Sequence, residues 1–298
     1  MDTSISVVNS EKERLSEKQA SDGYRTNSHS ETQEGSKGFF PDSAAREDFA
    51  KLLAFFTNLP EPEQITCPCC GGTCVVSELE RFASYCCFTS VPLSRVQCPS
   101  CKVIMGPLPL IQASKNQLTR LYELLYRFYR EGFSTPFQEK TFYLLNPSRF
   151  GRYLNYACGD WGIGLQRLRD MKWDVVGYEP IQNRSVEYIF NQQSVFSKES
   201  FDGLFSHNFI EHLQSPEEFF RECWDLLQPG GIMVHSTPCY EYLYHVAPLH
   251  LYFFCESSLQ CLAERVGFRF IQRWASDGDI PGSEYIAASF RKPKSSNH

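Results

Sequence analysis

The sequence predicts an α/β protein with a small cysteine-rich module ahead of it, and three observations carry that prediction. Tyr153 to Pro180 (YLNYACGDWGIGLQRLRDMKWDVVGYEP) reads as a buried strand, a glycine-containing turn, a helix and a second strand closing on an acid. Phe201 to Tyr240 then reads as strand, helix and strand again. Eight of the 13 cysteines crowd between Cys67 and Cys101, with two CxxC pairs at the ends of that stretch.

In a unit of the first kind the turn lets the backbone approach a ligand, and an acid on the next strand accepts ribose hydroxyls. Gly159 and Glu179 stand 20 positions apart, near the ~20-residue spacing of such units. In the second segment, Gly203 to Ser206 is a short apolar run ending in the polar cluster Ser206, His207, Asn208. Ser215 suits an N-cap, Pro216 a first helical position, and Glu217 and Glu218 the positive helix end. Phe219, Phe220, Cys223, Leu226 and Leu227 recur at helical spacing and face a core. Gln228-Pro229-Gly230-Gly231 stops that helix and turns into a strand over Ile232 to Ser236. Further on, a helix starts at Glu256 or Ser257 and ends at Gly267. Phe268 to Trp274 and Tyr285 to Arg291 read as an antiparallel pair, with Asp277-Gly278 in the turn.

These segments resemble class I S-adenosylmethionine (SAM)-dependent methyltransferases, especially small-molecule and sugar-modifying members. The strand-turn-helix at Leu154 to Leu168 is similar to the SAM-binding motif, and the FD…EHL…PGG…STP series to the stretch from the fourth strand to the fifth. The resemblance covers roughly Gln138 to Arg291 and implies a Rossmann-like doubly wound sheet. It also implies cofactor contacts from Ala157, Gly159, Asp160 and Trp161 in the loop, and from Glu179 and Pro180 after the second strand. Asn191 would add a contact after the third strand, and Ser206, His207 and Asn208 after the fourth.

The departures are informative. The family's first glycine position is Ala157, its third is Trp161, and a common acid ahead of them is Asn155. A positive φ at Ala157 would cost ~1–2 kcal/mol through its Cβ. Trp161 has two readings, core packing at the turn or a cap on the cofactor. Glu179 and Phe201 are too close for a full crossover helix plus a strand, so Val186 to Phe190 reads as the third strand behind a helix-less connector, Pro180 to Ser185. Asn191, Gln192 and Gln193 then fall where the family contacts adenine, or form an exposed polar loop.

Cys67-Pro-Cys-Cys70 and Cys98-Pro-Ser-Cys101 read as two knuckles of a four-thiolate zinc site, Cys67, Cys70, Cys98 and Cys101. Cys69, Cys74, Cys86 and Cys87 are alternative ligands. Four thiolates leave no open position, so the expected role is structural; a segment this small needs such a staple. Disulfides would suit a secreted chain, but the N-terminus has no apolar segment resembling a signal peptide. No run reaches the ~18 apolar residues of a membrane span. The expected location is cytoplasmic.

The expected organisation is a disordered polar tail (1–38), a helical lead-in (39–61), the zinc-ribbon module (62–105), a helical linker (106–137) and the methyltransferase domain (138–298). In the linker, Leu118, Leu121, Tyr122, Leu125 and Phe128 share a face that reads as packing rather than a ligand box. The net charge of −6 argues against a nucleic-acid partner, which needs clustered Lys and Arg.

Methyl transfer to oxygen or carbon needs a base for the acceptor's proton. His250, ahead of the aromatic run LYFF, lies in a stretch resembling the family's acceptor-side signature and is the first candidate, with His207, His212 and His245 behind it. The alternative for His250 is a hydrogen-bonded structural residue. Tyr240, Tyr242 and Tyr244 suit a loop lid. Cys158, Cys223, Cys239, Cys255 and Cys261 read as inert core thiols. The sequence thus points to a SAM-dependent enzyme acting on a small molecule, with a sugar or glycan precursor as the expected class. The alternatives are a zinc-ribbon-guided RNA methyltransferase and a degenerate, non-catalytic scaffold.

Overall fold

Why the sheet is mainly parallel follows from its strands. Arg152–Tyr156 (β6) is buried at every position after the first, and Asp174–Tyr178 (β7) is buried at its centre. Such continuously buried runs suit strands covered on both faces, not half-exposed hairpins. The computed structural model describes residues 38–39, 42–130, 135–159, 162–180, 186–239, 246–276 and 285–294.

Within residues 37–298, which form one unit, the chain begins with helix α1 (Ser43–Thr57), capped by the Asp42 carboxylate on Ala45 N at 2.8 Å. The cysteine-rich part follows as β1 (Gln64–Thr66), β2 (Thr73–Val75), β3 (Arg81–Tyr85), β4 (Pro92–Gln97) and β5 (Ile104–Met105). Helix α2 (Lys115–Phe128) buries Leu118, Leu121, Leu124, Leu125 and Phe128, and a reciprocal Ser114–Gln117 capping box fixes its start. Helix α3 (Thr135–Tyr143) crosses position 138 and leads into β6.

The doubly wound domain continues with α4 (Ile163–Asp170), β7, β8 (Ile189–Phe190), β9 (Phe201–His207), α5 (Pro216–Leu226) and β10 (Leu227–Thr237). It closes with β11 (Tyr252–Phe253), α6 (Glu256–Val266), β12 (Arg269–Ser276) and β13 (Tyr285–Arg291). The seven-stranded sheet has the order β8-β7-β6-β9-β10-β13-β12. The first five strands are parallel, and β13 runs antiparallel to both neighbours. The order reverses between β6 and β9, and in open α/β sheets ligands bind beyond the carboxyl ends of the strands at that switch point.

The expected caps stand. Ser215 Oγ accepts from Glu218 N with Pro216 opening α5, and Gly267 ends α6 at φ +107°. Four expected strands differ in extent: Gly203–Ser206 extends to Phe201–His207, Phe268–Trp274 shifts to Arg269–Ser276, and the third and fifth also change. The third shortens from Val186–Phe190 to Ile189–Phe190, because Ile189 N is turned back onto Val186 O and only two residues remain to pair with Gly177 and Tyr178. The fifth lengthens from Ile232–Ser236 to Leu227–Thr237. There the Pro229-Gly230-Gly231 turn is a bulge inside the strand, with the register shifting between Phe201 and Gly203.

The tail expected over 1–38 lies outside the described residues apart from Gly38. So do Asp160, Trp161, connector residues 181–185, the lid tyrosines, His245 and the Asp277-Gly278 turn. Among the described residues no helix is long and apolar enough to cross a membrane.

Candidate functional site

At the end of β6 the chain leaves the sheet through Ala157 at φ +56°, Cys158 and Gly159 at φ +81°, and α4 begins after Gly162. Ala157 therefore carries the left-handed strain that its place in the motif implies. Among the described residues, a Cβ built on Gly159 would meet nothing within 4 Å, so its backbone faces space that they leave open. Across that space, at the end of β7, Glu179 Oε2 accepts from Gly159 N at 3.0 Å. The β6–β7 register, Tyr156 opposite Tyr178, makes this meeting of loop and acid geometrically direct. Behind them Gly177 packs so closely that a Cβ would stand 2.6 Å from Cys158 Sγ. An open glycine backbone beside a half-buried acid fits the ribose end of SAM.

The other expected cofactor residues are placed as follows. Pro180 is exposed after Glu179, and Asn191 is exposed after β8, next to Phe190, whose carbonyl accepts from Glu179 N at 2.9 Å. At the end of β9 the side chains alternate. Ser206 turns into the core, its Oγ 2.8 Å from His235 Nδ1, so its side chain points away from the loop. His207 Nδ1 lies 2.8 Å from Ser236 Oγ, which is 2.6 Å from Thr141 Oγ1. The His207 ring stacks on Phe137 from α3 at 5.3 Å, and burial pushes its pKa down to about 4. Asn208 takes φ +53° and donates its N–H to Ser236 O.

His250 stands at the carboxyl side of the sheet. Its Nδ1 is 2.7 Å from Cys239 Sγ, and its ring meets His212 edge-on at 4.8 Å. The Glu211 carboxylate lies within 4.8 Å of both the Cys239 and the His250 donor atoms. Zinc held by one sulfur and one nitrogen, at ~2.3 and ~2.0 Å, would separate them by ~3.5 Å. The 2.7 Å contact is therefore a thiol–imidazole hydrogen bond. Cys239, which its apolar neighbours make look inert, is thus a partner of His250; burial pushes its thiol pKa up, so it stays protonated. His212 Nδ1 is held by Tyr122 OH and Leu249 O, both at 3.1 Å. The Tyr122 contact, from a helix read only as packing, has no signal in the local sequence.

The four expected metal thiols converge. The sulfurs of Cys67, Cys70, Cys98 and Cys101 lie within 4.8 Å of one another, with Cys67–Cys101 at 3.5 Å and Cys70–Cys98 at 3.7 Å. Tetrahedral zinc with Zn–S of ~2.3 Å requires sulfurs ~3.8 Å apart, so the set fits that ion. Both knuckles fold alike: Gly71 N donates to Cys67 O at 2.9 Å and Lys102 N to Cys98 O at 3.0 Å, each from a positive φ. Hydrogen bonding from Cys101 holds the Cys67 thiol well below its ordinary pKa, and the same contact pushes Cys101 up. A cation would relieve that competition for protons. Cys69 is fully buried beside the set, Cys74 is on β2, and Cys86 and Cys87 sit on the β3–β4 turn outside it.

Residues 127–273 match the Methyltransf_23 family, described as a methyltransferase domain. A ubiquinone biosynthesis O-methyltransferase of Dinoroseobacter shibae is 29% identical over 107 residues, covering 31% of this chain and 43% of the relative. The match thus spans less than half of that curated relative's length. Among solved structures, the 1,6-didemethyltoxoflavin-N1-methyltransferase of Burkholderia thailandensis aligns at 13% identity and TM-score 0.48, over 68% of this chain and 96% of that one. A SAM-dependent methyltransferase of Archaeoglobus fulgidus aligns at 14% identity and TM-score 0.45, over 58% and 98%. The family match falls on the residues that form the switch point, the glycine loop and the facing acid, so residues 127–273 carry a methyltransferase-domain match on a class I type sheet, preceded by a cysteine-rich module.

Proposed function

We propose that the chain transfers a methyl group from SAM to a small-molecule acceptor, with a sugar or glycan precursor as the favoured class. The observation that carries the reading is the open backbone at Gly159 facing Glu179 across the switch point. The small acceptor is supported by the net charge of −6, which disfavours phosphate backbones, and by the relative named for ubiquinone biosynthesis. The sugar assignment rests on resemblance alone, chiefly the short segment between Glu179 and Phe201.

SAM, when bound, supplies a methyl group on an already activated sulfonium leaving group. The chain's own work is then alignment and proton handling. Glu179 accepts hydrogen bonds from the ribose hydroxyls, the Gly159 backbone lets the cofactor approach, and Asn191 borders the adenine. His250 takes the acceptor's proton. In the neutral ring that can accept at Nε2, Nδ1–H points to the Cys239 sulfur, so the thiol holds the ring while the proton arrives. The Cys67, Cys70, Cys98 and Cys101 thiolates hold one structural zinc ion.

Calorimetric titration with S-adenosylhomocysteine (SAH) tests the reading. Micromolar binding at one site per chain is expected, followed by methylation in a screen of small hydroxylated acceptors that His250→Ala abolishes. No binding by folded, zinc-loaded protein would favour a scaffold. Salt-sensitive RNA binding would favour the RNA reading.

A further inference from the structure

Between β10 and α6 the chain carries His250 through a segment that the cysteine-rich module grips along its backbone. Cys87 N donates to Val246 O at 3.0 Å and Gly106 N to Leu251 O at 2.9 Å. β11 then joins the module's own sheet, in the order β11-β5-β4-β3, with Tyr252 opposite Met105 and Phe253 opposite Ile104. Just beyond it, Cys255 Sγ and Ser257 Oγ both reach Cys101 O, at 3.2 and 2.9 Å, the carbonyl of one of the four converging thiols. From α6, Arg265 donates to Pro68 O at 3.2 Å in the other knuckle.

Arg95 of β4 stands at the centre of this contact. It is fully buried, an unusual place for a guanidinium, which is retained in an interior only where its donors are used. Nη1 donates to Ser84 Oγ at 3.2 Å, and Nη2 to Ala247 O at 2.9 Å and His250 O at 3.3 Å. The guanidinium also lies 4.9 Å from the centre of the Phe253 ring. One module side chain thus ties its own hairpin to the main chain of His250, whose ring contacts Cys239 and His212. Planar, multiply donating geometry of this kind is specific to arginine; lysine offers a point charge. The cofactor-side residues on β6 and β7 make none of these contacts.

We propose that Arg95 is a positioning residue for the acceptor side of the site. The thiolate-stapled module is the fixed wall against which Arg95 sets the His250 main chain, and therefore its ring, while cofactor binding proceeds independently of it. This rests on the reading that His250 borders the acceptor. It gives the module a role within the methyltransferase site itself.

The test uses the full chain labelled with 15N at its seven histidines, with the His250 signals assigned through His250→Gln. In Arg95→Met, the His250 imidazole shifts are expected to move, while zinc content and SAH affinity stay within twofold of the unsubstituted chain. Arg95→Lys should show a smaller movement of the same signals. Unmoved His250 shifts in either variant would overturn the proposal. So would loss of SAH binding with the substitution, which would make Arg95 a support of the whole domain. A second measurement needs no variant: on chelation of the metal, the same His250 signals should move while SAH affinity holds. Joint loss of SAH binding, or unmoved signals in demonstrably metal-free protein, overturns it. Failure of the unsubstituted chain to bind SAH would sink the methyltransferase reading instead, so the two failures are distinguishable.

Discussion

Replacing Glu179 by alanine removes a carboxylate that meets the glycine loop, where its Oε2 accepts from Gly159 N at 3.0 Å. Two losses follow. The loop loses an anchor at a position already held at positive φ, and the cofactor loses a charged acceptor for its ribose hydroxyls. Hydrogen bonds to charged groups are worth ~1.5–3 kcal/mol each. Losing one such bond raises the dissociation constant ~10- to 150-fold, at about 1.4 kcal/mol per factor of ten. Glu179→Gln keeps an acceptor oxygen but not the charge, and should fall between alanine and the unsubstituted chain. The assay is SAH calorimetry on proteins whose thermal transitions coincide, so that weakened binding is not a folding defect. An alanine variant binding within twofold of the parent would refute the assignment and with it the placement of the ribose.

Three further outcomes are expected. Metal analysis should find about one zinc per chain, and Cys98→Ser should abolish it and open residues 67–101 to proteolysis; a metal-free chain with an unchanged melt would remove the metal from the account. His235 is buried among Phe219, Phe220 and Phe290, and burial pushes its pKa down to about 3. Because the unfolded chain binds the proton more readily, this histidine's contribution is complete above ~pH 6.5 and drains away as pH falls toward 3, by roughly 3 kcal/mol between pH 7 and 4. Urea unfolding at those two pH values should show a correspondingly smaller difference for His235→Phe, and equal differences would contradict it. Finally, Ala157→Gly relieves ~1–2 kcal/mol of left-handed strain but loosens the unfolded chain by ~0.5–1 kcal/mol. Its melting temperature should be equal or slightly higher, whereas a clear drop would show that the Ala157 methyl packs usefully.

Helix ends were readable because capping is local chemistry. Ser215-Pro216 and Gly267 act on backbone groups within one turn of themselves, and the helices begin and end there. The loop and its acid were readable through their spacing, since parallel pairing of β6 with β7 brings residues 20 apart to one sheet edge. The third strand was legible in place but not in length, because a two-residue strand is defined by what it pairs with. Ser206 shows a different limit. It lies in the right cluster, yet the pleat turns its hydroxyl inward to His235, while the next residue faces Phe137.

By itself, the sequence determined the alternation of strands and helices, the glycine loop with its acid, and the two thiol knuckles. Each follows from residue periodicity, turn chemistry or donor spacing over a few to about twenty positions. Tertiary structure alone decided that Cys239 would hold the His250 ring, that β11 would complete the module's sheet, and that Arg95 would reach a carbonyl 155 residues away. Those contacts depend on where distant segments are folded against one another. A buried arginine or a lone cysteine carries no mark in its neighbours of which distant backbone or ring it will meet.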